Sequence, residues 1–210
     1  MRLKNQTGFT LIELVVAMGF SLAILVSIYG FFRAQIRTTK GQESRMEAHE
    51  YAMAVLDSMV REIRNTGYFP NNGTPCANIA NTGGIVTATV DSFRLVYDTN
   101  SDGICEQDVS FTYDGGNQNI LRNGAELTDG NATAVTFTYY PQQTSGTAPP
   151  PYCVSAGVPS GCSGTLSSNL GNVQKIDISV TVQAKSKDTQ YGGLTNTTMN
   201  STADLRNHGL

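Results

Sequence analysis

The chain has 210 residues, 40% of them hydrophobic and 15% charged, with net charge −3, no Trp and two His. That length supports one ordinary domain plus an appendage, or two small domains. The mild acidic balance, with no clustered basic patch to neutralise phosphates, argues against nucleic-acid binding, while the abundance of Gly, Asn, Thr and Ser after residue 65 favours a turn-rich β protein over a helical bundle.

From Leu14 to Phe32 run 19 residues without charge or Pro, close to the ~20 needed to cross a bilayer as a helix. Arg2 and Lys4 precede the span and Arg33, Arg37 and Lys40 follow it, so charge bias alone does not set its orientation. A secretory signal peptide fits poorly. Its apolar region is shorter and ends in a small-residue cleavage site, whereas here helix-forming sequence continues through Arg33, Ala34 and Gln35. Glu13 is the odd residue. A carboxylate at mid-depth of a span costs ~2.5–3.5 kcal/mol on insertion scales, less near the interface, and an ionisable group there is a functional candidate.

The surroundings of Glu13 read Gly8-Phe9-Thr10-Leu11-Ile12-Glu13. A short basic leader ending in Gly, then Phe, a Glu four residues later and an unbroken apolar helix resembles the class III signal of type IV prepilins. The resemblance implies cleavage between Gly8 and Phe9 by a membrane prepilin peptidase, and N-methylation of the new Phe9 amine. It implies that the helix is kept, first as an inner-membrane anchor and later as filament core. It also implies that Glu13 pairs with the terminal amine of a neighbouring subunit. A carboxylate in apolar surroundings needs a partner cation, and that amine supplies one.

Beyond the span, Met46, His49, Met53, Leu56, Val60 and Ile63 follow a 3-4-3-4-3 spacing, which predicts one buried helix face. With no Pro before Pro70 and Gly67 as a stop, one helix is expected from about Phe9 to Asn65, roughly 85 Å long. A loop follows from Phe69 to Gly84. Strands are then expected at Ile85–Val90, around Phe93, Leu95 and Tyr97, and around Val109, Phe111 and Tyr113. Ile120-Leu121-Arg122 meets Asn123-Gly124, a hairpin turn signal, before Glu126-Leu127. Val135, Phe137 and Tyr139 alternate again. Gln142 to Asn172 is weakly hydrophobic. Ile176, Ile178, Val180 and Val182 mark the clearest strand, and Thr197–Leu205 a last edge strand.

This order predicts an α+β fold, a long N-terminal helix packed on an antiparallel β-sheet head. It is also the pilin fold that the N-terminal resemblance implies. The expected organisation is a leader at 1–8, a transmembrane and filament-core helix at 9–32, an amphipathic helix at 33–66 and a β-rich periplasmic head at 67–210. Met59 to Tyr68, MVREIRNTGY, is similar to the helix end of PilW-type minor pilins, and Asp204-Leu205-Arg206-Asn207 to that group's C-terminus. The resemblance implies a structural minor pilin, located in the bacterial inner membrane and then in the pilus, which primes or caps filament assembly. Its partners would be the peptidase and other major and minor pilins. The alternatives are a minor pseudopilin of a type II secretion system, or a membrane-tethered adhesin-like module. No catalytic constellation stands out: His49 lies on the helix and His208 near the terminus, and neither has metal-site company. The reading is therefore of a protein that is not an enzyme and requires no cofactor.

All four Cys follow the span. In an oxidising periplasm an even count favours two disulfides. Cys76–Cys105 with Cys153–Cys162 is preferred, because the second pair brackets one small-residue loop. Asp98, Asn100 and Asp102 followed by Gly103 match the start of a calcium loop, with the Ile104 carbonyl as next ligand. The place of the bidentate Glu is taken by Val109, so Glu106 or Asp108 would complete a Ca2+ shell. The plainer reading is a polar hairpin loop, where Asp, Asn and Gly are expected anyway.

Overall fold

The computed structural model describes residues 8–69, 76–79, 83–141, 149–154, 162, 166–184 and 195–205. Leader residues 1–7, His208, and Arg206 and Asn207 of the C-terminal similarity lie outside this set. The fold is α+β, consistent with a pilin fold: one long helix, α1 (Leu11–Asn65), followed by antiparallel strands. The described residues divide into two compact units, one running to Glu43 and the other from Ser44 onward.

In the first unit, α1 is apolar all round from Leu14 to Phe32, and the large side chains from Phe9 to Phe32 are exposed. The two serine hydroxyls of this stretch are satisfied within the helix. Ser21 Oγ donates to the Ala17 carbonyl at 2.8 Å and Ser27 Oγ to that of Ala23 at 2.9 Å. These two serine hydroxyls therefore need no water, as suits a helix in hydrocarbon.

The second unit holds the core. Strands β1 (Ile85–Ala88), β2 (Ser92–Tyr97), β3 (Gln107–Asp114), β4 (Asn119–Arg122) and β5 (Ala125–Glu126) form an antiparallel meander. Strands β6 (Ala132–Pro141), β7 (Val173–Ala184) and β8 (Thr195–Asp204) form a second sheet in that order. Alternation places Phe93 and Leu95 opposite Phe111 and Val109 on one face. Val135, Phe137 and Tyr139 face the core from the second sheet. Phe93 joins the two sheets, its ring centroid 6.1 Å from Phe137 and 5.9 Å from Tyr139. Tyr139 Oη donates to the Thr89 carbonyl at 2.8 Å, so its buried hydroxyl is paired. The Asn123-Gly124 signal gives a two-residue turn between Arg122 and Ala125. Both residues have positive φ, 51° and 80°, as a type I′ turn demands.

Two expectations are corrected. The buried helix face is Ala48, Ala52, Val55, Leu56, Met59, Val60 and Ile63, while His49 is exposed and Met46 and Met53 are 64% and 53% exposed. The sheets select the stripe that begins with two alanines, because small side chains let the helix come close. The strand expected at Ile85–Val90 stops at Ala88. There Thr89 turns the chain, its Oγ1 donating to Asp91 Oδ1 and accepting from the Ser92 N–H. The antiparallel head comprises two sheets, since the backbone ladder of β6 pairs with β7 and with no strand of the meander.

Candidate functional site

The N-terminal site is built from four consecutive features. Gly8 has open space around it, and Phe9 is 84% exposed. Thr10 stands just before the first helical residue, and Glu13 sits in the first turn. Thr10 N–H donates to Glu13 Oε2 at 3.4 Å and its Oγ1 donates to the same oxygen at 3.3 Å, while the Glu13 N–H lies 3.4 Å from Thr10 Oγ1. This is a capping-box arrangement: the Glu13 carboxylate serves the Thr10 N–H, and the Glu13 N–H is shared between the Thr10 carbonyl, at 3.1 Å, and Thr10 Oγ1. Thr10 is the residue that sequence reasoning missed, although Thr-x-x-Glu before an apolar run is its signature. The capping box gives the Glu13 carboxylate a local partner, and its charge also complements the positive end of the helix dipole.

The second candidate is the loop between β2 and β3. Carboxylate oxygens of Asp98, Asp102 and Glu106 lie within 4.8 Å of one another. Asp98 is buried. Its Oδ1 accepts from the N–H groups of Asn100 and Ser101, and its Oδ2 from that of Gly103. Burial pushes this carboxyl up, but the three N–H donors outweigh it and hold the group below the usual range. Asn100 Nδ2 donates to Asp102 Oδ2 at 3.2 Å, and Glu106 Oε2 accepts from the Thr99 N–H at 2.9 Å. Ile104 donates its N–H to Asp102 Oδ1, and its side chain is 50% exposed. Asp108 does not join this group. It forms a two-pronged pair with Arg94 across β2 and β3, at 2.8 and 2.6 Å. That hydrogen-bonded guanidinium lowers the Asp108 pKa.

The loop is fastened from behind. Cys76 and Cys105 form a disulfide, and Cys153 pairs with Cys162. Asn78 grips both sides of Cys105, accepting its N–H at 2.9 Å and donating to its carbonyl at 3.2 Å. Phe69, Cys76, Val96 and Cys105 form a small apolar cluster separate from the main core.

A third group ties α1 to the meander. Glu62 Oε2 accepts from Tyr97 Oη at 2.8 Å, and Glu62 Oε1 from Arg122 Nη2 at 2.6 Å. Burial, then the Glu62 carboxylate, pushes the Tyr97 hydroxyl up to about 12. The role of these residues is architectural.

Comparison with curated proteins and with solved structures finds no match. A family model does match: residues 3–28 fit the prokaryotic N-terminal methylation motif. The matched segment contains Gly8, Phe9, Thr10 and Glu13 and most of the apolar span, which fits membrane anchoring. The chain therefore carries a type IV prepilin-like class III signal, the feature it shares with pilin-like and pseudopilin proteins.

Proposed function

We propose that the chain is a structural minor pilin of a type IV pilus that primes or caps filament assembly. The observation that carries this reading is the class III signal running without a break into α1. Prepilin peptidase cuts between Gly8 and Phe9, and the Phe9 amine is methylated. Glu13 then exchanges its capping contact for the terminal amine of a neighbouring pilin. The head lies in the periplasm, where its two disulfides are stable.

The full-length chain, expressed with its peptidase, tests the reading by mass spectrometry of the envelope fraction. The expected mature chain starts at Phe9 and carries one added methyl group, and Gly8→Glu leaves the leader attached. Glu13→Ala inserts normally but is depleted from sheared filaments and from crosslinked pilin complexes. A mature chain starting after the apolar run, or equal recovery of Glu13→Ala, overturns the reading.

The clustered carboxylates of Asp98, Asp102 and Glu106 favour a second reading, a minor pseudopilin of a type II secretion system. In either assembly these three oxygen donors, with Asn100 and the Ile104 carbonyl, suit Ca2+ better than a soft metal. Pull-down of the crosslinked chain from envelopes separates the two, since the captured partners are pilus or secretion components.

A further inference from the structure

The two outer edges of the three-stranded sheet are finished differently. The edge of β6 is occupied: Ala132 N–H donates to the Gln118 carbonyl at 2.9 Å and Phe137 N–H to that of Val90 at 2.7 Å. The Tyr139 carbonyl accepts from Tyr152 N–H at 2.8 Å. Among the described residues the edge of β8 is open. Its ten residues pair with β7 in one unbroken register. Leu205 N–H donates to the Gln174 carbonyl, and this fixes the alternation along the antiparallel ladder. Odd-numbered residues of β8 turn their backbone groups to β7, and Asn196, Thr198, Asn200, Thr202 and Asp204 turn theirs away. Among the described residues these outward N–H and C=O groups meet no partner.

Natural sheets protect a long edge with Lys, Pro, a bulge or a cover. Thr195 to Ala203 contains no charge and no Pro, and the ladder has no bulge. The outer strands of the meander offer far less: β1 has four residues and an irregular register, and β5 has two residues.

We propose that β8 is a docking edge for the β8 strand of a second copy of this chain, paired antiparallel about a two-fold axis at Asn200. The faces dictate the register. Met199 packs against the core side and Asn200 lies exposed on the other, so even-numbered residues must oppose even-numbered ones. Centring on Asn200 uses all five outward residues of each strand, for about ten backbone hydrogen bonds, two per facing pair. Thr198 then faces Thr202, a favourable cross-strand hydroxyl pair. Asp204, the strand's sole charge, faces the Asn196 amide, so no like charges oppose. The two sheets join into one of six strands, and the subunits meet through identical surfaces.

Cysteine scanning of the full-length chain in detergent tests this register. The described cysteines are all bridged, so an introduced thiol is distinctive. Asn200→Cys should give a disulfide-linked dimer under mild oxidation, because facing Cα atoms lie ~5.5 Å apart, within bridging range. Asn196→Cys should give none, since its two copies stand eight residues apart along the ladder. In light scattering the wild type should be dimeric. Asn200→Pro, which removes an N–H that β7 does not use, should be monomeric with its melting temperature kept. Should Asn200→Pro fail to fold, the crosslinking contrast still decides. A monomeric wild type, equal crosslinking at 196 and 200, or a foreign strand on β8 overturns the proposal.

Discussion

Replacing Glu62 by Ala isolates the polar clamp between α1 and the meander. The carboxylate is 16% exposed and holds two donors, the buried Tyr97 hydroxyl and the Arg122 guanidinium. A hydrogen bond to a charged group contributes roughly 1.5–3 kcal/mol. The Arg122 side chain is 35% exposed and regains water when released, so its share falls toward the low surface values. Tyr97 is 9% exposed, and its hydroxyl would lose its acceptor without gaining solvent. The expected loss is therefore about 2–3 kcal/mol, read by urea unfolding of a fragment that begins at Ser44, the start of the second compact unit. Tyr97→Phe serves as the control. In the double variant the two losses should fall short of additivity by about 1 kcal/mol, as for residues in contact. A loss for Glu62→Ala below about 0.5 kcal/mol, or strict additivity, refutes the clamp.

The same tyrosine predicts alkaline sensitivity. Its folded pKa of about 12 lies above the unfolded value of 10, so between them the unfolded state loses the proton while the folded state keeps it. The associated stability is fully present below pH 10 and falls as pH rises toward 12, at up to ~1.4 kcal/mol per unit; in Tyr97→Phe this part of the pH dependence should vanish. Ala52→Leu should cost about 1–3 kcal/mol in the same urea assay, since Ala52 is fully buried where the helix meets the core, whereas Met53→Leu should be near neutral. Thr10→Val removes half of the capping box and should weaken the helix start by ~1 kcal/mol, seen as faster amide exchange at Leu11 to Leu14 in micelles. Calcium at a hundredfold excess over Kd should stabilise the head by about 2.7 kcal/mol, so it should melt higher in millimolar calcium than in chelator. Asp102→Ala should erase the difference, and no heat of binding in calorimetry would leave the loop a polar turn.

The N-terminal half of the candidate chemistry is legible because its signals are contiguous. Gly8-Phe9, Glu13 and the 19-residue apolar run need no knowledge of the rest of the chain, and the capping box is equally local. The strand alternation and the Asn123-Gly124 turn are local too, so the α+β class follows from the order of elements. The preferred cysteine pairing is the one in the structure. Its second bridge closes a loop of sequence separation 9, while the first spans 29 residues and needed the fold to bring its ends together.

The choice of helix face lay beyond the sequence. Hydropathy counts Met46 and Met53 as better core residues than Ala48 and Ala52, yet the sheets pack on the alanines, because close approach depends on volume as well as polarity. Long-range pairs were equally hidden. Glu62 meets Tyr97 across 35 residues and Arg122 across 60, and Asp108 turns to Arg94 on the next strand instead of to the acidic loop. The sequence by itself determined the signal, the span and the order of elements, since each rests on neighbours along the chain. Tertiary structure alone decided the buried face, the split into two sheets and the open edge of β8, since each depends on which surfaces fit together in space.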